Sequence, residues 1–115
     1  MDEEDVVRGF AALAAPSRLR IVQLLATAPA EGIASGELAE ALDVAQNTMS
    51  SQLMILSNAH VVRARRDGRS IFYTVDREGL RGLARFLSEQ RAPSKATKAT
   101  MKRRQSSKRR AASWR

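Results

Sequence analysis

The chain of 115 residues contains no cysteine, which removes structural disulfides, thiolate metal sites and thiol redox switching from its chemistry. Histidine is almost as scarce, with His60 alone. There is no glycine-rich phosphate loop and no pair of carboxylates placed for acid/base work, so an enzyme is not expected. No apolar run approaches the roughly 20 residues of a membrane-spanning helix. The amino terminus, MDEEDVVRGF, is acidic where a secretory leader would be basic, and the expectation is a cytoplasmic protein with no membrane partner.

Lysine is missing from residues 1–91, which carry 11 arginines against 12 carboxylates and are close to neutral. Residues 92–115 carry four lysines, five arginines and no acid. Two parts are expected: a single small domain over 1–91, and a polycationic tail over 92–115. The tail lacks periodic apolar residues after Pro93 and is expected to be disordered, with Trp114 exposed. A polycation seeks a polyanion, and nucleic acid is the commonest one.

The stretch that organises the rest is SGELAEALDVAQNTMSSQLMILSN, residues 35–58. Leu38, Ala39 and Leu42 fall on one face of a short helix for which Ser35 is the expected N-cap. After a tight connection at Asp43-Val44-Ala45, Met49, Leu53 and Leu56 recur at i, i+4, i+7, which leaves Gln46, Asn47, Ser50 and Ser51 on the outside. Such a face suits the major groove, where amides pair with adenine and small hydroxyls reach bases or phosphates. An ordinary helical hairpin with its polar side in water fits these residues too.

Upstream, Val6, Val7, Phe10 and Leu13 form an apolar stripe on a first helix begun by Asp2, Glu3, Glu4 and Asp5. Pro16 opens a second helix, with Leu19, Ile21 or Val22, Leu24 and Leu25 inward, and Pro29 with Gly32 closes it. Arg18 and Arg20 read as solvated or locally paired in preference to phosphate contacts.

Downstream the period changes. Residues 61–66 and 69–75 read as strands around a type I′ turn at Asp67-Gly68, with Arg66 facing Arg69, Arg65 facing Ser70, Ala64 facing Ile71, Arg63 facing Phe72 and Val62 facing Tyr73. Val62, Ala64, Ile71 and Tyr73 then share the packing face, while Arg63 and Arg65 project from the other. Like charges across strands repel, which a phosphate or minor-groove partner would relieve; a charged edge that guards against aggregation is the alternative. Asp76 caps a last helix bearing Leu80, Leu83, Ala84 and Leu87, with Phe86 beside them. That wide stripe and the first helix suit burial against a second copy, or plain packing on the core.

Taken together, FAALAAPSRLRIVQLLA, GELAEALDVAQNTMSSQLMILSNAHVV and RARRDGRSIFYTV resemble the ArsR/SmtB family of winged-helix repressors, over about residues 8–88. NTMSSQLMIL and SIFYTV look closest to an arsenic-responsive branch. The fold implied is mainly α with a β-hairpin wing, a winged helix-turn-helix of about five helices and two strands. The resemblance implies a bacterial, nucleoid-associated homodimer that binds a palindromic operator in double-stranded DNA and represses until an inducer releases it. Its DNA-facing positions become Gln46, Asn47, Thr48, Ser50, Ser51 and Gln52, with Arg66 and Arg69 in the wing beside Arg63 and Arg65. Its dimer seam becomes Val6, Phe10, Leu80, Leu83, Phe86 and Leu87.

Ala45 stands where a capping serine is usual, and His60 where glycine is usual. The cysteine sites of relatives fall here on Ala34, Ser35 and Gly36 and on SEQRAPSK, so neither exists. A second family site uses histidine and carboxylates; Asp76, Glu78 and Glu89 remain, but His60 lies far along the chain from them and reads as a turn residue. Zinc or nickel ordinarily takes imidazole or thiolate, so no metal and no cofactor are expected, and the residues assign no inducer. The competing reading is a nucleoid-associated, largely sequence-independent DNA binder driven by the basic tail.

Overall fold

The structure, a computed structural model, describes residues 1–89. The tail over 92–115, with Trp114, lies outside the described residues. The elements run α1 (Glu3–Leu13), α2 (Pro16–Ala26), β1 (Ile33–Ala34), α3 (Ser35–Ala41), α4 (Gln46–Asn58), β2 (Val62–Asp67), β3 (Ser70–Val75) and α5 (Arg77–Ser88).

Local chemistry sets most of the boundaries. Asp2 and Asp5 form a capping box: the Asp2 carboxylate accepts from Asp5 N–H at 2.8 Å, and Asp2 N–H donates to the Asp5 carboxylate at 3.3 Å. Pro16 takes the first position of α2, where its missing N–H costs nothing. Asp76 caps α5 by accepting from Gly79 N–H at 3.0 Å. Ser35, however, does not cap α3; the N-cap is Ala34, with no side-chain bond. The Ser35 hydroxyl instead accepts from Gln46 Nε2 at 3.4 Å, across to the next helix.

Ile21, Leu25, Leu38, Met49, Leu53, Leu56, Val61 and Val62 are almost fully excluded from water and knit α2, α3, α4 and β2 together. Burial of side chains of this size contributes about 1.5–3 kcal/mol each. Two expected stripes are displaced. Leu19 is 44% exposed and Val7 62% exposed, and the buried side of α1 is Val6, Gly9 and Ala12. The shift follows from how α1 meets α5: a Cβ at Gly9 would lie 2.8 Å from a Leu83 methyl, so the helices touch at the residue without a side chain.

The sheet has three antiparallel strands in the order β1-β3-β2, one more than expected. β1 is two residues long and pairs Ile33 with Tyr73 and Ala34 with Phe72. The hairpin register also differs from expectation. Val62 pairs with Val75, Arg63 with Thr74, Ala64 with Tyr73, Arg65 with Phe72, Arg66 with Ile71 and Asp67 with Ser70. The turn residues are therefore Gly68 and Arg69, and the positive φ of 62° at Gly68 alone makes it the first central residue of a type II′ turn. No two arginines face each other across the strands, so the cross-strand repulsion expected from the sequence does not arise.

Candidate nucleic-acid interface

Both ends of the helix pair are closed by the same device. After α3, Asp43 takes φ 53°, Asp43 N–H donates to Glu40 O at 3.2 Å, and Val44 N–H to Ala39 O at 2.9 Å. After α4, His60 takes φ 59°, its N–H donates to Ser57 O at 3.1 Å, and Val61 N–H to Leu56 O at 3.0 Å. These are Schellman caps, and each satisfies the helix's last carbonyls while turning the chain sharply. The first makes the turn of the helix-turn-helix; the second launches the wing with Leu56 and Val61 in the core.

With Met49, Leu53 and Leu56 held inward, α4 presents Gln46, Asn47, Thr48, Ser50 and Ser51 to solvent. The Asn47 side chain accepts from Thr48 N–H at 2.9 Å, and Ser51 Oγ donates to Asn47 O at 3.1 Å. Met54 continues this face and is 64% exposed. Gln52 stands apart: it is half-buried, and its Oε1 accepts from Arg18 Nη1 at 3.0 Å. Arg18 also donates through Nε to Ala12 O at 2.7 Å and through Nη2 to Ala11 O at 3.4 Å, so it is locally paired, as expected.

The four wing arginines divide into two pairs. Arg63 reaches Asp76 at 3.4 Å and Glu78 at 3.9 Å. Arg65 lies 5.1 Å from the Phe72 ring centroid, reaches Asp67 at 3.7 Å and donates to Glu31 O at 3.2 Å. Arg66 and Arg69 are exposed and make no ion pair or hydrogen bond among the described residues. Arg69 and Gln46 line one cleft of about 820 Å³, so the wing tip and the start of α4 open on the same side. Glu37, Glu40 and Asp43 also line it, which disfavours a phosphate inside the cleft itself.

The expected seam residues fall at different depths. Val6 and Leu83 are buried between α1 and α5 within the chain, Phe10 and Leu80 are half-buried, and Phe86 and Leu87 are exposed by 39% and 60%. His60, remote from the carboxylates in sequence, shares a cavity with Asp76 and Glu78. Arg63 occupies both carboxylates there, and among the described residues no three or more His, Asp or Glu are grouped to hold a metal ion. No described helix is long and apolar enough to cross a membrane.

Sequence reasoning missed two contacts of the site, Gln46 to Ser35 and Arg18 to Gln52. Helical spacing shows which face a residue occupies but not what crosses over from another element.

A tight αL turn between two short helices, an exposed amide-and-hydroxyl helix and a hairpin beside it define a winged helix-turn-helix protein. A family described as a helix-turn-helix domain matches residues 13–65. The chain is 39% identical over 66 residues to the transcriptional repressor SmtB homolog of a Synechocystis strain, covering 57% of this chain and 48% of that one. It is 36% identical over 90 residues to the uncharacterized HTH-type transcriptional regulator YbzH of Bacillus subtilis, covering 68% of this chain and 90% of that one. Among solved structures it is similar to the homodimeric winged helix-turn-helix DNA-binding domain of an ArsR-family candidate from Mycobacterium bovis, with 27% identity, a TM-score of 0.63, and coverage of 79% of this chain and 89% of that one. The chain spans about half the length of the SmtB homolog and of NmtR from Mycobacterium tuberculosis, 48% and 51%. It belongs to the ArsR/SmtB family of winged-helix transcriptional regulators.

Proposed function

We propose that the chain is a cytoplasmic, homodimeric, sequence-specific DNA-binding repressor whose switch does not use a thiolate-bound metal. The observation that carries this reading is the outer face of α4, an exposed, uncharged run of Gln46, Asn47, Thr48, Ser50 and Ser51 whose first residue, Gln46, lines one cleft with the unpaired Arg69. Amides and hydroxyls at the start of such a helix read base edges, and arginines on a neighbouring hairpin hold the flanking backbone. Arg66 joins Arg69 in that role, while Arg63 and Arg65 add positive charge from within their own pairs. Val6, Phe10, Leu80, Leu83, Phe86 and Leu87 form a two-layer seam, with the buried pair supporting the outer residues that meet a second copy.

Selection from random duplexes at physiological salt tests this. Recovery of a palindrome with half-sites one helical turn apart, about 34 Å, is the expected result. Bound duplexes that share no sequence would refute it.

The nine cations of residues 92–115 favour a second reading, sequence-independent binding driven by the tail. Each neutralised phosphate contributes about −0.9 to the log–log salt slope. That reading predicts a steep slope that disappears together with nearly all affinity when the tail is removed; the repressor reading predicts that the preferred site survives.

A further inference from the structure

Arg18, in the first turn of α2, makes three hydrogen bonds and meets no carboxylate among the described residues. Two of them close the carbonyl end of α1, and the third holds Gln52 Oε1 at 3.0 Å. A guanidinium donates and never accepts, so the end of the Gln52 amide that faces it must be the oxygen. The usual ambiguity between the two ends of an amide is thereby removed. Gln52's NH₂ has no partner among the described residues, and no buried side-chain polar atom there lacks one, so that group reaches solvent.

With its oxygen held by Arg18, the glutamine turns its NH₂ outward, so what it offers a duplex is chiefly the donor half of the acceptor-and-donor pair that a bidentate contact to adenine uses. Its place on α4 says to what it donates. Asn47, Ser51, Met54 and Asn58 mark the middle of the exposed face, and Gln52 lies about 100° round the helix from Ser51, half-buried on the side of α2. A side chain on the flank of a helix seated in the major groove meets the sugar-phosphate wall, not the base edges. The uncompensated charge of Arg18 behind the amide favours an anion there.

Resting on the DNA-binding reading above and deepening it, we infer that Gln52 holds one phosphate oxygen at the groove wall, and that Arg18 is the positioning residue that fixes its amide as a donor. Gln52 thus sets the register of α4 on the duplex and carries no base preference of its own.

The test uses the full chain, the duplex it selects, and the same duplex with single phosphates replaced by uncharged methylphosphonates. Gln52→Glu keeps an acceptor for Arg18 and removes both outward donors. It should retain the wild-type thermal midpoint, keep the order of base preferences, and bind every duplex roughly tenfold more weakly per subunit, since a hydrogen bond to a charged group is removed. At one phosphate the methylphosphonate should weaken wild-type binding and strengthen that of Gln52→Glu. Arg18→Met, measured below its own unfolding transition, should lose the sensitivity at that phosphate. A changed base preference or an unchanged affinity in Gln52→Glu overturns the assignment of Gln52, and sensitivity retained in Arg18→Met overturns that of Arg18. A wild-type chain that selects no duplex overturns the DNA reading and this inference with it, an outcome distinct from the other two.

Discussion

At Asp43 and His60 the backbone turns left-handed in residues that carry a Cβ, with φ of 53° and 59°. That conformation costs a side-chain-bearing residue roughly 1–2 kcal/mol, which the Schellman bonds and the burial of Val61 offset. His60→Gly should therefore stabilise the fold by about 1 kcal/mol, read as a higher urea midpoint with an unchanged slope. An unchanged or lower midpoint would mean that the His60 ring contributes packing beyond its exposed position. Gly79 faces the same turn from the other side: a Cβ there would collide with His60 O, so Gly79→Ala should destabilise by about 1–3 kcal/mol, visible in the same titration. The oddity of His60 was legible in the sequence, because a residue stood where glycine is usual. Gly79 was silent, because nothing in an apolar stripe tells which backbone another helix will approach.

In the hairpin, the expected and observed registers differ by two residues, and a shift of two preserves which face each side chain occupies. Hence Val62, Ala64, Ile71 and Tyr73 do share a face, although none has the partner expected. The error came from the turn: both Asp67-Gly68 and Gly68-Arg69 are acceptable two-residue signals, and the strands extend to Val75 only in the second. β1 was illegible because two residues cannot show an alternating pattern. The pairing also separates structural from free arginines, and this yields a prediction for the wing as an element. Arg63→Ala should lower stability by up to about 1 kcal/mol, since its partner Asp76 is the buried cap of α5. Asp76→Ala should cost about 1–2 kcal/mol through the cap. Arg66→Ala and Arg69→Ala should leave the thermal midpoint in place while weakening DNA binding and flattening its salt slope by about 0.9 for each phosphate no longer neutralised. A midpoint that falls with either of these two would show that they support the hairpin.

For the whole molecule, the three sequence blocks over about residues 8–88 were enough to place the chain in its family. They could not show how the apolar stripes of α1 and α5 divide between packing inside one chain and packing between two. A stripe records that water is excluded and not by whom. On the proposed seam the two roles separate by depth: Leu83 is 4% exposed and fills the space against Gly9, whereas Leu87, one turn later, is 60% exposed. The two positions should respond differently. Leu83→Ala opens a cavity in the chain's own packing and should cost about 2–5 kcal/mol of stability. Leu87→Glu changes an exposed position of the single chain; it should leave the far-UV spectrum unchanged and convert the proposed dimer to a monomer in sedimentation. Two linked reading helices bind a palindrome with the second engagement made intramolecular, so the monomer should lose on the order of 10²–10⁴ in operator affinity while its residual binding keeps the half-site preference. A Leu87→Glu chain that sediments as a dimer would move the seam off the outer face of α5, and the reading heads would then need a different spacing from the one turn predicted for the operator.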